Sequence, residues 1–137
     1  MHYLITGAGS GIGRAIAVTL AEQGHTCYLL GRDEHKLNTT LGLLKSGQHQ
    51  VLAADVTSTT QMQALVDAHP DLVLDGIMAN AGLGGENHFG EGDRWQAILD
   101  TNLTGTYFTV QYFLPALRRS PMPFKHINLG LEERHFA

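Results

Sequence analysis

The chain has 137 residues, 43% of them hydrophobic and 16% charged, with a formal net charge of −4 when its histidines are neutral. That length suits one domain and is enough to bury a core without disulfides or metals, and the apolar content excludes a disordered chain. The acidic balance argues against broad nucleic-acid binding, and no apolar stretch approaches the length of a membrane span.

In chain order, Met1-His2-Tyr3-Leu4-Ile5 runs into glycines too soon for a signal peptide, so Tyr3 to Thr6 reads as a first strand that starts at once. Gly7 to Gly13 is a glycine-rich turn. Ile12, Ala15, Ile16, Thr19, Leu20 and Gln23 then repeat at helical spacing up to Gly24, a natural stop. Thr26 to Leu30 is the second strand. Its Cys27, the only cysteine, is expected as a buried free thiol, a state that fits a reducing, cytoplasmic setting. Asp33 to Leu44 is a helix with Leu37, Leu41 and Leu44 on one face, and Gln50 to Ala54 is the third strand.

Ser58 and Gln61 have the spacing of a capping box, opening a helix that carries Met62, Leu65 and Val66 and ends near Pro70. Leu74 to Asn80 contains the fourth strand. Arg94 to Asp100 is helical, and Trp95 shares a face with Ile98 and Leu99, which predicts a core position for it. A long helix is predicted from about Asn102 to Arg119, with Pro115 kinking it or removing one backbone bond. His126 to Leu129 is the fifth strand. Strands alternating with helices imply an α/β fold: a doubly wound parallel sheet of about five strands, with helices on both faces. Such folds bind ligands at the carboxyl ends of the strands, near the reversal in strand order.

Thr6-Gly7-Ala8-Gly9-Ser10-Gly11-Ile12-Gly13 lies between the first strand and the first helix. Backbone N–H groups at a helix N-terminus hold phosphate well, and glycines let a diphosphate approach them. The string has the form Thr-Gly-x-x-x-Gly-x-Gly and resembles the loop of the short-chain dehydrogenase/reductase family. Three further stretches agree in order and spacing. Asp55-Val56-Thr57 is similar to the family's adenine-ring contact. Asn80-Ala81-Gly82 is similar to its Asn-Ala-Gly motif, although Met78-Ala79 departs from the second asparagine usual before it. Asn102-Leu103-Thr104-Gly105-Thr106 is similar to the segment that carries the catalytic asparagine. The resemblance covers about residues 3 to 129. It implies a Rossmann domain over residues 1–130 that binds NAD(P) through Gly7, Ser10, Gly11, Ile12, Gly13, Asp55, Val56, Asn80, Ala81 and Gly82, with Asn102 from the catalytic set. Plainer roles stay open: Asp55 as a turn former, Asn80 as a loop amide, Asn102 as a helix cap or bend.

The coenzyme is read at the end of the second strand. NAD-selective members of the family carry an aspartate where this chain has Gly31, and Arg32 follows. A guanidinium pairs well with a ribose 2′-phosphate, so Arg32 favours NADP(H) over NAD(H). Arg32 also fits a surface arginine beside Asp33 and Glu34. Ser10 stands where NADP-selective members often have a basic residue.

In the family, hydride passes between nicotinamide and a carbonyl or alcohol carbon, a tyrosine moves the proton, a lysine four residues later tunes it, and a serine after the fifth strand orients the substrate. Here Leu131 falls on the serine position, and none of Tyr3, Tyr28, Tyr107 and Tyr112 has a lysine four residues on. Asn102 is the one retained member. Residues 131–137 diverge from the family pattern; a truncation, an alternative terminus and a shifted reading frame all stay open. A sheet without the family's last strands is expected to be less stable and to self-associate, as a homo-oligomer or otherwise. The eight histidines lack metal-ligand spacing, and Ser10 lacks the glycines of a nucleophile elbow. The expectation is a cytoplasmic NADP(H)- or NAD(H)-dependent oxidoreductase by ancestry, with a small carbonyl or alcohol substrate and no nucleic-acid or membrane partner. The alternatives are a non-catalytic nucleotide-binding or regulatory module, and an inactive fragment.

Overall fold

The computed structural model describes residues 1–83, 87–90, 92–123 and 126–128. The strands are β1 (His2–Thr6), β2 (Thr26–Gly31), β3 (Gln50–Ala53), β4 (Gly76–Met78) and β5 (His126–Asn128). Between them lie α1 (Gly11–Glu22), α2 (Glu34–Leu43), α3 (Thr59–Ala68), α4 (Trp95–Leu99), a π-helical turn (Asp100–Thr104) and α5 (Gly105–Arg118). The strands form one parallel sheet in the order β3-β2-β1-β4-β5. The order reverses at β1, with β2 on one side and β4 on the other. That puts the switch point at the end of β1.

Period-two alternation splits the strands between two cores. Leu4, Leu30, Leu52 and Ile77 pack with Met62 of α3 and with Phe113 and Leu117 of α5. Tyr3, Ile5, Cys27 and Leu29 pack on the opposite face with Ala17 and Ala21 of α1 and Leu37 of α2. Helices therefore cover both faces, as the alternation of elements predicts. Cys27 is fully buried, and burial pushes its thiol up to about 11. Among the described residues, no helix is long and apolar enough to cross a membrane.

The helix signals work in detail at two starts. Asp33 caps α2 by accepting the Lys36 N–H at 3.1 Å, and Ser58 caps α3 by accepting the Gln61 N–H at 3.2 Å. The capping box is only half formed. The Gln61 amide oxygen accepts the N–H of Asp55 at 2.9 Å, because the Ser58 N–H already donates to the Asp55 carbonyl at 3.0 Å.

Two expectations need correction. The helix predicted from Asn102 is one continuous run that begins at Trp95 and passes through the π-turn, so Asn102 lies inside the run rather than at its start. Pro115 lies inside α5, which runs on to Arg118, as the predicted helix does. Trp95 is 61% exposed instead of buried. It stands at the exposed first turn of that run, where none of the residues Trp95–Leu99 is buried, while Ile98 and Leu99 are half-buried. Residues 129–137, including Leu131, lie outside the described residues.

Candidate functional site

β1 ends at Thr6 and leads through residues 7–10 directly into α1. Gly7 and Gly11 have φ of +64° and +53°, a region that side chains disfavour. Space is as restrictive as conformation. A Cβ on Gly7 would lie 2.9 Å from the Ala81 Cα, and one on Gly13 would strike the Gly7 carbonyl and sit 2.9 Å from the Asn80 Nδ2. These glycines let the first turn of α1 press back onto the end of β1, with the Asn80 amide against both.

The start of α1 differs chemically from those of α2 and α3. Ser10 occupies its N-cap, but the Ser10 side chain makes no capping bond, whereas Asp33 and Ser58 cap α2 and α3. Among the described residues, the leading N–H groups, on Gly11, Ile12 and Gly13, have no side-chain acceptor. An uncapped helix N-terminus carries about half a unit of positive charge and is suited to an anion. The exposed Ile12 side chain sits on the same turn.

A second loop closes on the first from β4. The Thr6 hydroxyl accepts the Ala81 N–H at 2.9 Å, tying the tip of β1 to the Asn-Ala-Gly stretch. Asn102 reaches that stretch from the π-turn. Its Oδ1 accepts the Leu83 N–H at 2.7 Å, and its Nδ2 donates to the Leu83 carbonyl at 3.0 Å. Gly82 makes room, since a Cβ there would lie 3.0 Å from the Asn102 Oδ1. The structure thus brings Gly7, Ser10, Gly11, Ile12, Gly13, Asn80, Ala81, Gly82 and Asn102 to one end of the sheet.

The remaining predicted residues have separate roles. The Asp55 carboxylate accepts the Thr57 N–H at 2.9 Å and the Thr57 hydroxyl at 2.8 Å, the bonds of a turn former. The Val56 side chain is buried in the core beside Gly105, where any Cβ would lie 2.7 Å from the Val56 Cγ2. Arg32 is exposed at the end of β2, without an ion pair to Asp33, whose carboxylate caps α2.

Sequence reasoning missed several supports. Thr6 was visible only as part of a motif, and Leu83 acts through its backbone, which leaves no signal. Arg14 and Thr40 were also missed. Arg14 Nε donates to the Thr40 Oγ1 at 2.9 Å and its Nη2 donates to the Gly9 carbonyl, while the Thr40 hydroxyl donates to the Ala8 carbonyl at 2.7 Å. Among the described residues, no cluster of histidine, cysteine or carboxylate side chains is placed to hold a metal.

A family model described as short chain dehydrogenase matches residues 1–122. The chain belongs to this family. An uncharacterized oxidoreductase of Staphylococcus aureus strain MW2 is 35% identical over 118 residues, covering 83% of this chain and 51% of the relative. A 3-ketoacyl-ACP reductase from Sinorhizobium meliloti 1021 superposes with a TM-score of 0.74 at 35% identity, over 86% of this chain and 49% of that one. A variant of actinorhodin polyketide ketoreductase, solved with NADPH, gives 0.74 at 33% identity over 84% and 46% of the two chains. The chain spans about half the length of the curated relatives it matches.

Proposed function

We propose that this chain is the coenzyme-binding portion of an NAD(P)-dependent oxidoreductase, with NADP(H) preferred. The observation that carries this is the uncapped N-terminus of α1, at the switch point of the sheet, in a chain whose α2 and α3 are both capped. The diphosphate would be held by the N–H groups of Gly11, Ile12 and Gly13, with Gly7 and Ser10 shaping the approach. Asp55, Val56, Asn80, Ala81 and Gly82 would border the adenine and nicotinamide halves. Arg32, exposed and without an ion pair among the described residues, would meet the 2′-phosphate. The NADPH solved with the actinorhodin ketoreductase supports the same lean. The bound coenzyme would supply hydride exchange with a carbonyl or alcohol carbon. This chain's own part would be to bind and orient the dinucleotide, with Asn102 fixing the adjacent loop.

A second reading has its own observation. Leu131, outside the described residues, stands at the position of the family's serine and has no hydroxyl. A non-catalytic nucleotide-binding module fits that pattern. Titrating NADPH and NADH, alongside NADPH oxidation over a panel of small carbonyls, separates the two. Binding with turnover supports the oxidoreductase, binding without turnover supports the module, and binding of neither coenzyme refutes both. Self-association and a cytoplasmic location belong to the same proposal. The first is supported by β5, whose three residues are all exposed and which is outermost among the described strands, and the second by the buried free thiol of Cys27. A sedimentation profile independent of concentration would count against self-association.

A further inference from the structure

Helical threonines usually turn their hydroxyls back onto their own helix. Thr19, Thr39, Thr106 and Thr109 all do so here, each donating to the carbonyl four residues earlier. Thr40 does not. It is fully buried on α2, and its hydroxyl crosses to the Ala8 carbonyl at 2.7 Å while accepting Arg14 Nε at 2.9 Å. Arg14 completes the link by donating to the Gly9 carbonyl. Two successive loop carbonyls are thus drawn onto the protein side by a residue pair from α1 and α2.

We propose that Arg14 and Thr40 are positioning residues that hold the glycine loop with its carbonyls turned away from the anion side and its amides free to face a dinucleotide diphosphate. This rests on the coenzyme reading above. Carbonyl oxygens facing a diphosphate would repel it, and a loop rich in glycine has little stiffness of its own to keep them away. The placement of Arg14 is consistent with this. A cation in the first turn of a helix opposes the macrodipole, a cost that a bound anion nearby would offset. The brace also joins the two ends of the site. Thr40 belongs to the helix whose cap follows Arg32, and Gly9 lies so close to that helix that a Cβ on it would be 3.0 Å from the Lys36 Cβ. Loop and ribose end would move as one unit.

The test compares Thr40→Val, which keeps the shape and loses the hydroxyl, with Thr40→Ser, which keeps the hydroxyl. Two measurements are made on the whole chain: backbone NMR order parameters for Ala8 to Ser10 without coenzyme, and dissociation constants for NADPH and NADH. In Thr40→Val the loop order parameters are expected to fall from about 0.85 toward about 0.6, while those of Leu4 and Leu29 stay rigid. Both coenzymes should bind about ten-fold more weakly, the scale of one lost buried hydrogen bond. Thr40→Ser should resemble the wild type in both. Unchanged loop order in Thr40→Val, or equal damage in Thr40→Ser, overturns the brace. Wild-type protein that binds neither coenzyme sinks the coenzyme reading instead, and the order parameters still decide whether the brace holds the loop.

Discussion

Asn102 and Leu83 hold each other through two hydrogen bonds in opposite directions, at 2.7 and 3.0 Å, from the middle of a π-turn to the loop after β4. A π-turn spaces backbone groups more widely than an α-turn, and such bulges gather at functional sites. Here it lets one amide side chain serve as a clamp on Asn80-Ala81-Gly82. Both bonds are solvent-accessible, so Asn102→Ala is expected to cost only about 1 kcal/mol of stability in urea unfolding. Asn102→Asp should be no better at neutral pH, because it sets a carboxylate oxygen against the Leu83 carbonyl. A clamp that matters to the site also predicts weaker coenzyme binding in both variants. Full affinity in both would remove Asn102 from the site.

Two glycines separate backbone need from backbone cost. Gly13→Ala drives a methyl into the Gly7 carbonyl, whose carbon would be 2.8 Å away, and backbone cannot yield as a side chain can. An overpacking loss of about 1–3 kcal/mol is expected, together with loss of coenzyme binding. Gly42 lies in α2, has no positive φ, and would meet nothing within 4 Å. Gly42→Ala should therefore stabilise the chain by about 0.5–1 kcal/mol, through helix propensity and a less flexible unfolded state. Paired thermal melts check both signs.

The contrast shows what a sequence can reveal. Gly7, Gly11 and Gly13 stood out because residue type, spacing and position after a strand all agreed. The sheet followed from Leu4, Leu29, Leu30 and Ile77, whose apolar runs are dictated by burial on both faces. Thr40 gave no signal, since a threonine among Asn38, Thr39 and Leu41 looks like any helical surface, and its partners are carbonyls that every residue possesses. Trp95 misled because periodicity reports a shared face and not whether anything covers it. The π-turn was invisible for a related reason: an extra residue in a helix changes hydrogen bonding without changing composition.

Coenzyme choice is testable at Gly31 and Arg32. Arg32→Ala is expected to weaken NADPH binding about ten-fold and leave NADH unchanged, as removal of a charge-assisted phosphate contact requires. Equal loss for both coenzymes would refute the phosphate role. Gly31→Asp should shift preference toward NADH, because a carboxylate there would accept the ribose hydroxyls and repel a 2′-phosphate. Packing permits the change: a Cβ on Gly31 would lie 3.2 Å from the end of the Leu37 side chain, which can move, and the φ of Gly31 is not positive. A small fall in melting temperature with reversed selectivity is the expected outcome.

Asp75 makes the opposite end of the sheet sensitive to acid. It is 5% exposed, and its carboxylate accepts the Ser120 hydroxyl at 2.5 Å and the His2 N–H at 2.7 Å, while its backbone bonds to His2 and His126. It therefore ties the starts of β1, β4 and β5 to the end of α5. Burial pushes its carboxyl up, but the Ser120 and His2 hydrogen bonds, with the charges of His2 and the N-terminal amine, outweigh that and hold it below its usual value. A carboxyl lowered on folding stabilises the fold above its unfolded pKa of about 3.9, and that contribution is lost as pH falls through the folded value. Asp75→Asn should cost about 1–3 kcal/mol at pH 7, since it removes the charge and replaces two hydrogen bonds to a carboxylate by weaker neutral ones. The gap between wild type and variant should then narrow as pH drops below about 4. Urea midpoints measured from pH 7 down to pH 3 would show this, and two parallel curves would mean that the Asp75 charge has no share in the stability.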